Sequence, residues 1–271
     1  MYNFSYATQN NFMKKIWMVF LLIFLSLSLP CSGNVFAEQD QPKLAIIIDD
    51  FGGWSRDGVD EMLAIGAPLT CAIMPCLDNT SSDAEKANAA GHEIILHMPL
   101  EAHKKLPENW YGNLYVKNSD TPEVAKQKVK KGFESVKYAK GMNIHIASGV
   151  CQNATLMKAI MNEAKSQNMF FVDSFTHPKS VCQKVANELS IPFGIRTEFL
   201  EKAGVKSYDN AKRELVRMVN HAKKYGNAIA IGHVGMEGGK TTARAIKDSL
   251  DYIASQGVKL CFASEIVKTN S

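Results

Sequence analysis

The chain has 271 residues, 46% hydrophobic and 21% charged, an ordinary globular balance for which one α/β barrel is as natural as two small domains. A chain of this length can bury about three-quarters of the surface its unfolded form exposes, so stability does not require a disulfide scaffold. The formal charge is +4, from 31 basic and 27 acidic residues; setting aside Lys14 and Lys15 leaves 29 against 27, with no basic block to track a phosphate backbone, and nucleic acid is not an expected partner.

The first element is a leader. Lys14-Lys15 precedes the apolar run Ile16 to Leu29, and Val35-Phe36-Ala37 offers small or modest residues where a signal peptidase reads. A charged start, an apolar centre and this end describe a secretory signal over residues 1–37, with export to the periplasm or the cell exterior. The rival is an uncleaved anchor, the only membrane contact expected, although a spanning helix needs about 20 apolar residues. Pro30 directly before Cys31 argues against lipoprotein processing.

From Leu44 onward short apolar runs alternate with longer amphipathic ones. Leu44 to Ile48 is continuous and β-branched, as in a strand covered on both faces. A helix is expected over residues 57–65, a strand over 69–74, a helix over 81–90 ended by Gly91, and a strand over 93–96. Residues 102–120 are polar and aromatic and read as a long surface loop. Thr121-Pro122 then opens a helix, with proline where a missing N–H does no harm. Strands at 143–147, 169–172, 192–195, 228–232 and 259–263 alternate with helices at 153–167, 178–189, 207–225 and 241–255. About eight strands and seven helices imply a parallel sheet, and over ~225 residues they favour a closed or nearly closed barrel in one domain, residues 38–271. An open doubly wound sheet is the alternative, weakened because no GxGxxG follows the first strand. Five cysteines remain after Ala37. An odd number excludes a complete disulfide framework in a monomer. Cys71 and Cys76 are too far apart on an extended segment to bond, Cys151 with Cys182 stays open, and buried small hydrophobes is the simplest reading.

In a parallel barrel the C-terminal strand ends converge on one mouth, which carries the chemistry. Those ends hold Asp49-Asp50, His97 with Glu101 four further on, Asn143 and His145, Asp173-Ser174, Arg196 and His233. Singly, each has a plain alternative: an acid after a strand is often a helix N-cap, Asp173 included, and a lone histidine is more often structural than a ligand. Together they point to a metal. Imidazole and carboxylate without thiolate suit zinc or a similar divalent ion, which makes water acidic near neutral pH. A second carboxylate can act as base and a separate histidine as acid, the parts needed to hydrolyse an amide or ester.

At these residues the sequence resembles the divergent polysaccharide deacetylase family, within the wider polysaccharide deacetylase superfamily of carbohydrate esterases. The resemblance rests on Ile46-Ile47-Ile48-Asp49-Asp50, Gly91 through Glu101, Gly141-Met142-Asn143-Ile144-His145, Asp173-Ser174-Phe175-Thr176 and Ile231-Gly232-His233. It implies a distorted (β/α) barrel of seven to eight parallel strands. It further implies Asp49 as catalytic base, Asp50 and His97 as metal ligands, His233 as general acid, and Asp173 and Arg196 as residues orienting base and acid. The superfamily's second histidine is replaced here by Glu101, which leaves the third ligand as Glu101 or His145. Where a glycine is expected before Ser148, Ile146-Ala147 stands instead. The implied activity is zinc-dependent removal of acetyl groups from an N-acetylated glycan, with Trp110 and Tyr111 as candidates either to stack on a sugar or to plug the barrel wall. Two alternatives remain: an inactive glycan-binding protein of the same fold, motivated by the missing histidine, and a hydrolase of a non-sugar amide or ester.

Overall fold

The β-branched run Leu44 to Ile48 lies at the centre of a strand, β1 (Lys43–Phe51), and all five side chains are buried. The computed structural model describes residues 41–201 and 205–269; the leader expected at residues 1–37 lies outside them. The remaining strands are β2 (Thr70–Ile73), β3 (Glu93–Leu100), β4 (Ala139–Ile146), β5 (Phe170–Asp173), β6 (Phe193–Ile195), β7 (Glu198–Phe199), β8 (Asn227–His233) and β9 (Lys259–Cys261). Between them lie α1 (Val59–Leu63), α2 (Thr80–Ala89), α3 (Pro122–Ser135), α4 (Ala154–Ser166), α5 (Cys182–Leu189), α6 (Tyr208–Tyr225), α7 (Gly239–Lys247) and α8 (Leu250–Ser255). No helix among the described residues is long and apolar enough to cross a membrane.

Every ladder between these strands is parallel, in the order β6-β5-β4-β3-β2-β1-β8-β7, with β9 also on β1. Since β8 occupies one edge of β1 over residues 43–49, β9 and β2 divide the other, β9 against residues 43–45 and β2 against 47–51. The two ends of the sheet are joined by the chain itself. Arg196 N–H bonds to the Asp173 carbonyl on β5, and Thr197 N–H to the Ile229 carbonyl on β8. The result is the expected distorted (β/α) barrel.

Helix starts follow local chemistry. The Thr121 hydroxyl accepts from Val124 N–H, Asn153 Oδ1 from Thr155 and Leu156 N–H, and the Ser207 hydroxyl from Asn210 N–H, each replacing a bond the first turn lacks. Two expected helices differ. The one at 241–255 is two, because at the break Ser249 N–H bonds three residues back to Ile246 O and its hydroxyl takes Ala245 O. The one at 178–189 starts only at Cys182, because a turn held by Asp173 occupies residues 173–180. All five cysteines from Cys71 on are free, and all but Cys76 are buried.

Two apolar layers follow from strand alternation. Leu44, Ile46 and Ile48 face outward into the large cluster shared with the helices. Ala45, Ile47, Ala72, Ile95, Phe170, Val172, Ile229 and Ile231 form a second cluster to which α1–α8 contribute nothing, the barrel interior. This inner plug fixes what lies above it. Continuing by twos, the inward positions are Asp49 on β1, His97 on β3, Asn143 and His145 on β4, and His233 on β8.

Candidate metal centre at the barrel mouth

Asp49 is paired in register with His233, and His97 with Asn143, so one layer of the barrel carries both pairs. Asp50 should by alternation point outward. It does not, because β1 is bulged there: Ile48 pairs with Cys71 and Phe51 with Ile73, leaving one extra residue on β1, and Asp50 takes φ 71°. Left-handed backbone costs a non-glycine residue about 1 kcal/mol, and aspartate tolerates it better than most. The bulge turns two consecutive acids into one site while Phe51 returns to the outer core.

His97 Nε2, His145 Nδ1 and Asp50 Oδ1 form a nearly equilateral triangle. The nitrogens are 3.1 Å apart, and Asp50 Oδ1 lies 3.3 Å from His97 and 3.2 Å from His145. The tautomers follow from the outer partners. Asn143 donates its amide to Asp49 Oδ1 at 2.7 Å, so its oxygen faces His97 Nδ1, also at 2.7 Å, and that nitrogen carries the hydrogen. His145 Nε2 donates to the Trp110 carbonyl at 3.1 Å. Both imidazoles therefore turn lone pairs inward against a buried carboxylate oxygen that accepts no hydrogen bond. Three converging lone pairs repel unless a cation lies among them. Bonds of about 2.0–2.1 Å at tetrahedral angles give ligand separations of about 3.3 Å, so the donor set fits a divalent ion, and the outer hydrogen bonds are those that metal-binding histidines use. Burial opposes charge on His97, but Asp49 and Asp50 outweigh it and raise its pKa. Burial likewise opposes the Asp50 carboxylate, yet His145 and His97 hold it well below the ordinary range.

Glu101 is outside this triangle. Its Oε2 accepts from the backbone and side-chain N–H groups of Asn118, pinning the base of the 101–120 loop. Of the two candidates for a third donor, His145 is the one the fold brings in.

Asp49 is 2% exposed. Burial raises its carboxyl pKa, and His97 and His233 only partly offset that. His233 is held by Glu201, whose Oε2 is 3.0 Å from Nδ1 and whose Oε1 accepts from His233 N–H and the Thr242 hydroxyl. Burial disfavours the imidazolium, but Glu201, Asp50 and Asp49 outweigh it and raise the pKa to about 10.

Asp173 and Arg196 form no hydrogen bond with Asp49 or His233, although the Arg196 and Asp49 charges attract. Val172 faces the interior, so Asp173 points away from it. Asp173 accepts from Phe175 N–H and the Ser180 hydroxyl, and burial raises its pKa. Arg196 donates to the Ser174 and Phe175 carbonyls and lies over the Phe199 ring at 3.8 Å. Those contacts shape the rim. The groups hydrogen-bonded to Asp49 and His233 are Asn143 and Glu201. The sequence marks Asn143 only as a strand-end residue beside His145, whereas Glu201 follows a two-residue strand that leaves no apolar run.

Residues 46–267 match the family model described as divergent polysaccharide deacetylase. The chain is similar to the uncharacterized protein YibQ of Escherichia coli (strain K12), with 28% identity over 195 residues, 70% of this chain and 58% of that protein. The chain therefore spans 58% of that relative's length. Among solved structures, uncharacterized protein ATU2773 from Agrobacterium tumefaciens C58 superposes with a TM-score of 0.75 at 18% identity, covering 84% of this chain and 89% of that one. A family 4 carbohydrate esterase from Streptomyces lividans, in complex with acetate, gives 0.53 at 12% identity, covering 85% and 97%. At these identities the structural likenesses speak to the fold.

Proposed function

The chain belongs to the divergent polysaccharide deacetylase family, and from that premise we propose that it is a metal-dependent hydrolase removing acetyl groups from N-acetylated amino sugars of a polysaccharide or cell-wall glycan. The observation carrying the proposal is the triangle of Asp50 Oδ1, His97 Nε2 and His145 Nδ1, with edges of 3.1–3.3 Å and both tautomers fixed from outside. The missing second histidine suggests a competing reading, a glycan-binding protein without turnover; His145 in the third-donor position supports the hydrolase. The leader read at residues 1–37 fits delivery across the inner membrane to where such glycans lie.

A divalent ion held by these three residues, zinc suiting two imidazoles and a carboxylate best, would polarise the acetamide carbonyl and make water acidic near neutral pH. Asp49 takes the proton of the attacking water. Its buried carboxyl is more basic than a surface one, which matches a base to that task. Asn143 fixes Asp49 through one oxygen and leaves the other for the reacting water. His233, protonated at neutral pH, gives its proton to the departing amine, and Glu201 keeps the imidazolium in place. The amide C–N bond breaks, acetate leaves with the water's oxygen, and a free amino sugar remains.

The test is acetate release from N-acetylglucosamine oligomers and peptidoglycan fragments, on protein of measured zinc content, for wild type and Asp49→Asn. The proposal expects release by wild type and a loss of at least about a hundredfold in the variant. Zinc-loaded wild type that releases acetate from neither would leave the binding protein as the better account.

A further inference from the structure

The barrel mouth gathers Asp49, Asp50, Glu101 and Glu201 at the C-terminal strand ends. The opposite face, where the strands begin, carries the reverse charge. Lys43 and Lys259 are the first residues of β1 and β9, and Lys140 is the second of β4. Lys268 exchanges two backbone bonds with Phe193, the first residue of β6, at 3.0 and 3.2 Å. Lys223 and Lys224 lie in the last turn of α6, directly before β8. All six are exposed except Lys43, which is partly buried.

Among the described residues, the segments at these strand beginnings carry one exposed acid, Glu265, and it pairs with Lys259 at 3.3 Å. The short β7 starts halfway up the barrel, beside Ala230, and adds nothing here. Lys223 bonds to the Gln256 side-chain oxygen and Lys224 lies over the Tyr225 ring, so neither charge is neutralised by a carboxylate. A helix end favours lysine, because its last carbonyls face outward, and that accounts for Lys223 and Lys224. It does not account for Lys43, Lys140, Lys259 and Lys268, which stand on or against strand beginnings. Tyr138, directly before β4, and Tyr225, at the end of α6, are 51% and 60% exposed on the same face. Exposed phenols among lysines suit a lipid–water boundary, where the rings sit at headgroup level and the ammonium groups meet phosphates.

The chain also enters the barrel here. Lys43 N–H bonds to the Gly226 carbonyl, Lys259 N–H to the Pro42 carbonyl, and the Gln41 side-chain amide to the Gly257 carbonyl. The sequence before Gln41, with its apolar run Ile16 to Leu29, therefore joins the barrel at the basic face and not at the mouth. We propose that this face lies against an anionic lipid surface, so that the mouth opens away from the membrane. The lysines are spread across the end of the barrel from β4 to β8 rather than aligned in a groove, which suits a plane of headgroups better than a single soluble polyanion. The inference draws on the leader read at residues 1–37 and not on deacetylation.

The experiment mixes the full chain with vesicles of phosphatidylcholine alone or with about a quarter phosphatidylglycerol, and maps lysine reactivity by brief acetylation and mass spectrometry. On anionic vesicles Lys140, Lys223, Lys224 and Lys268 should react about fivefold or more slowly than on neutral ones, while Lys104 and Lys105 of the mouth loop change less than about twofold. Sodium chloride at about 0.5 M should abolish the difference. Flotation then compares two variants that lose the same charge. Lys140→Gln, Lys223→Gln, Lys224→Gln and Lys268→Gln together should reduce the preference for anionic vesicles at least about tenfold. Lys104→Gln, Lys105→Gln, Lys126→Gln and Lys184→Gln together, at the mouth loop and the helix beginnings, should reduce it less than about threefold. Protection of Lys104 and Lys105 in place of the strand-beginning lysines, no protection on anionic vesicles, or equal loss in both variants would each overturn the inference. So would a strand-beginning variant that keeps its vesicle preference and loses only binding to soluble polyglutamate, which would assign the face to a soluble polyanion. Acetate release measured without vesicles bears on deacetylation alone, so either account can fail without the other.

Discussion

Glu201 Oε2 stands 3.0 Å from Nδ1 of His233, while the other oxygen of the same carboxylate holds the His233 backbone N–H. Burial alone would lower the imidazole pKa; Glu201 is the leading group that lifts it from 6.5 to about 10. A pKa raised on folding contributes stability that is fully present below about pH 6.5 and is lost as pH rises through about 10. In Glu201→Gln the alkaline limb of kcat/KM should move to lower pH by about one to three units, and the plateau should fall about 10- to 100-fold. A pH profile of wild type and variant checks this; an unmoved alkaline limb would show that Glu201 does not tune the acid.

His145 and Glu101 make opposite predictions for metal content. His145→Ala removes one corner of the triangle and should weaken zinc binding by more than about a hundredfold. Glu101→Gln keeps an acceptor for Asn118 and should bind zinc within about twofold of wild type. Equilibrium dialysis with elemental analysis separates them. Zinc lost in Glu101→Gln and kept in His145→Ala would reverse the assignment.

Asn143 joins Asp49 to His97, with Asp49 on its amide and His97 Nδ1 on its oxygen, each at 2.7 Å. Asn143→Ala should therefore lower zinc affinity and kcat together, each by about 10- to 100-fold. Asn143→Asp should instead place a second negative charge beside Asp49, raise the Asp49 pKa and move the acid limb of the profile upward. Thermal melting run in parallel shows whether either variant is folded.

Gly238 lies against Glu201 and His233. A Cβ there would meet Glu201 Oε1, the His233 carbonyl and the Thr242 hydroxyl, closer than side-chain carbons come. Gly238→Ala should displace Glu201, cost about 1–3 kcal/mol of stability and reduce kcat while leaving zinc content near wild type. Denaturant melts and steady-state rates test this; an unaffected kcat would mean that Glu201 accommodates the methyl group.

Much of this was legible because strand alternation is strict. Ala45 and Ile47 lead by twos to Asp49, Ile229 and Ile231 lead to His233, and Met142 and Ile144, facing the helices, mark Asn143 and His145 as inward. The same rule, applied one strand further, turns Asp173 away from the interior that Val172 faces. Asp50 was legible as a residue but not in its geometry, since a bulge reverses alternation and leaves no periodic trace. Glu201 was not legible, because β7 spans only Glu198–Phe199 and its pairing depends on where the chain crosses from β6 to β8. The break at Ser249 depends on a hydroxyl taking a helix carbonyl, a competition that amphipathic spacing does not register.

Every step proposed for this site needs Asp50, His97 and His145 to share one divalent ion. Anomalous diffraction at the zinc edge, from crystals grown with the metal, tests it most directly. One strong peak is expected about 2.0–2.2 Å from Asp50 Oδ1, His97 Nε2 and His145 Nδ1. A peak bonded to Glu101 in place of His145, or no peak at the barrel mouth in crystals that hold zinc elsewhere, would contradict it.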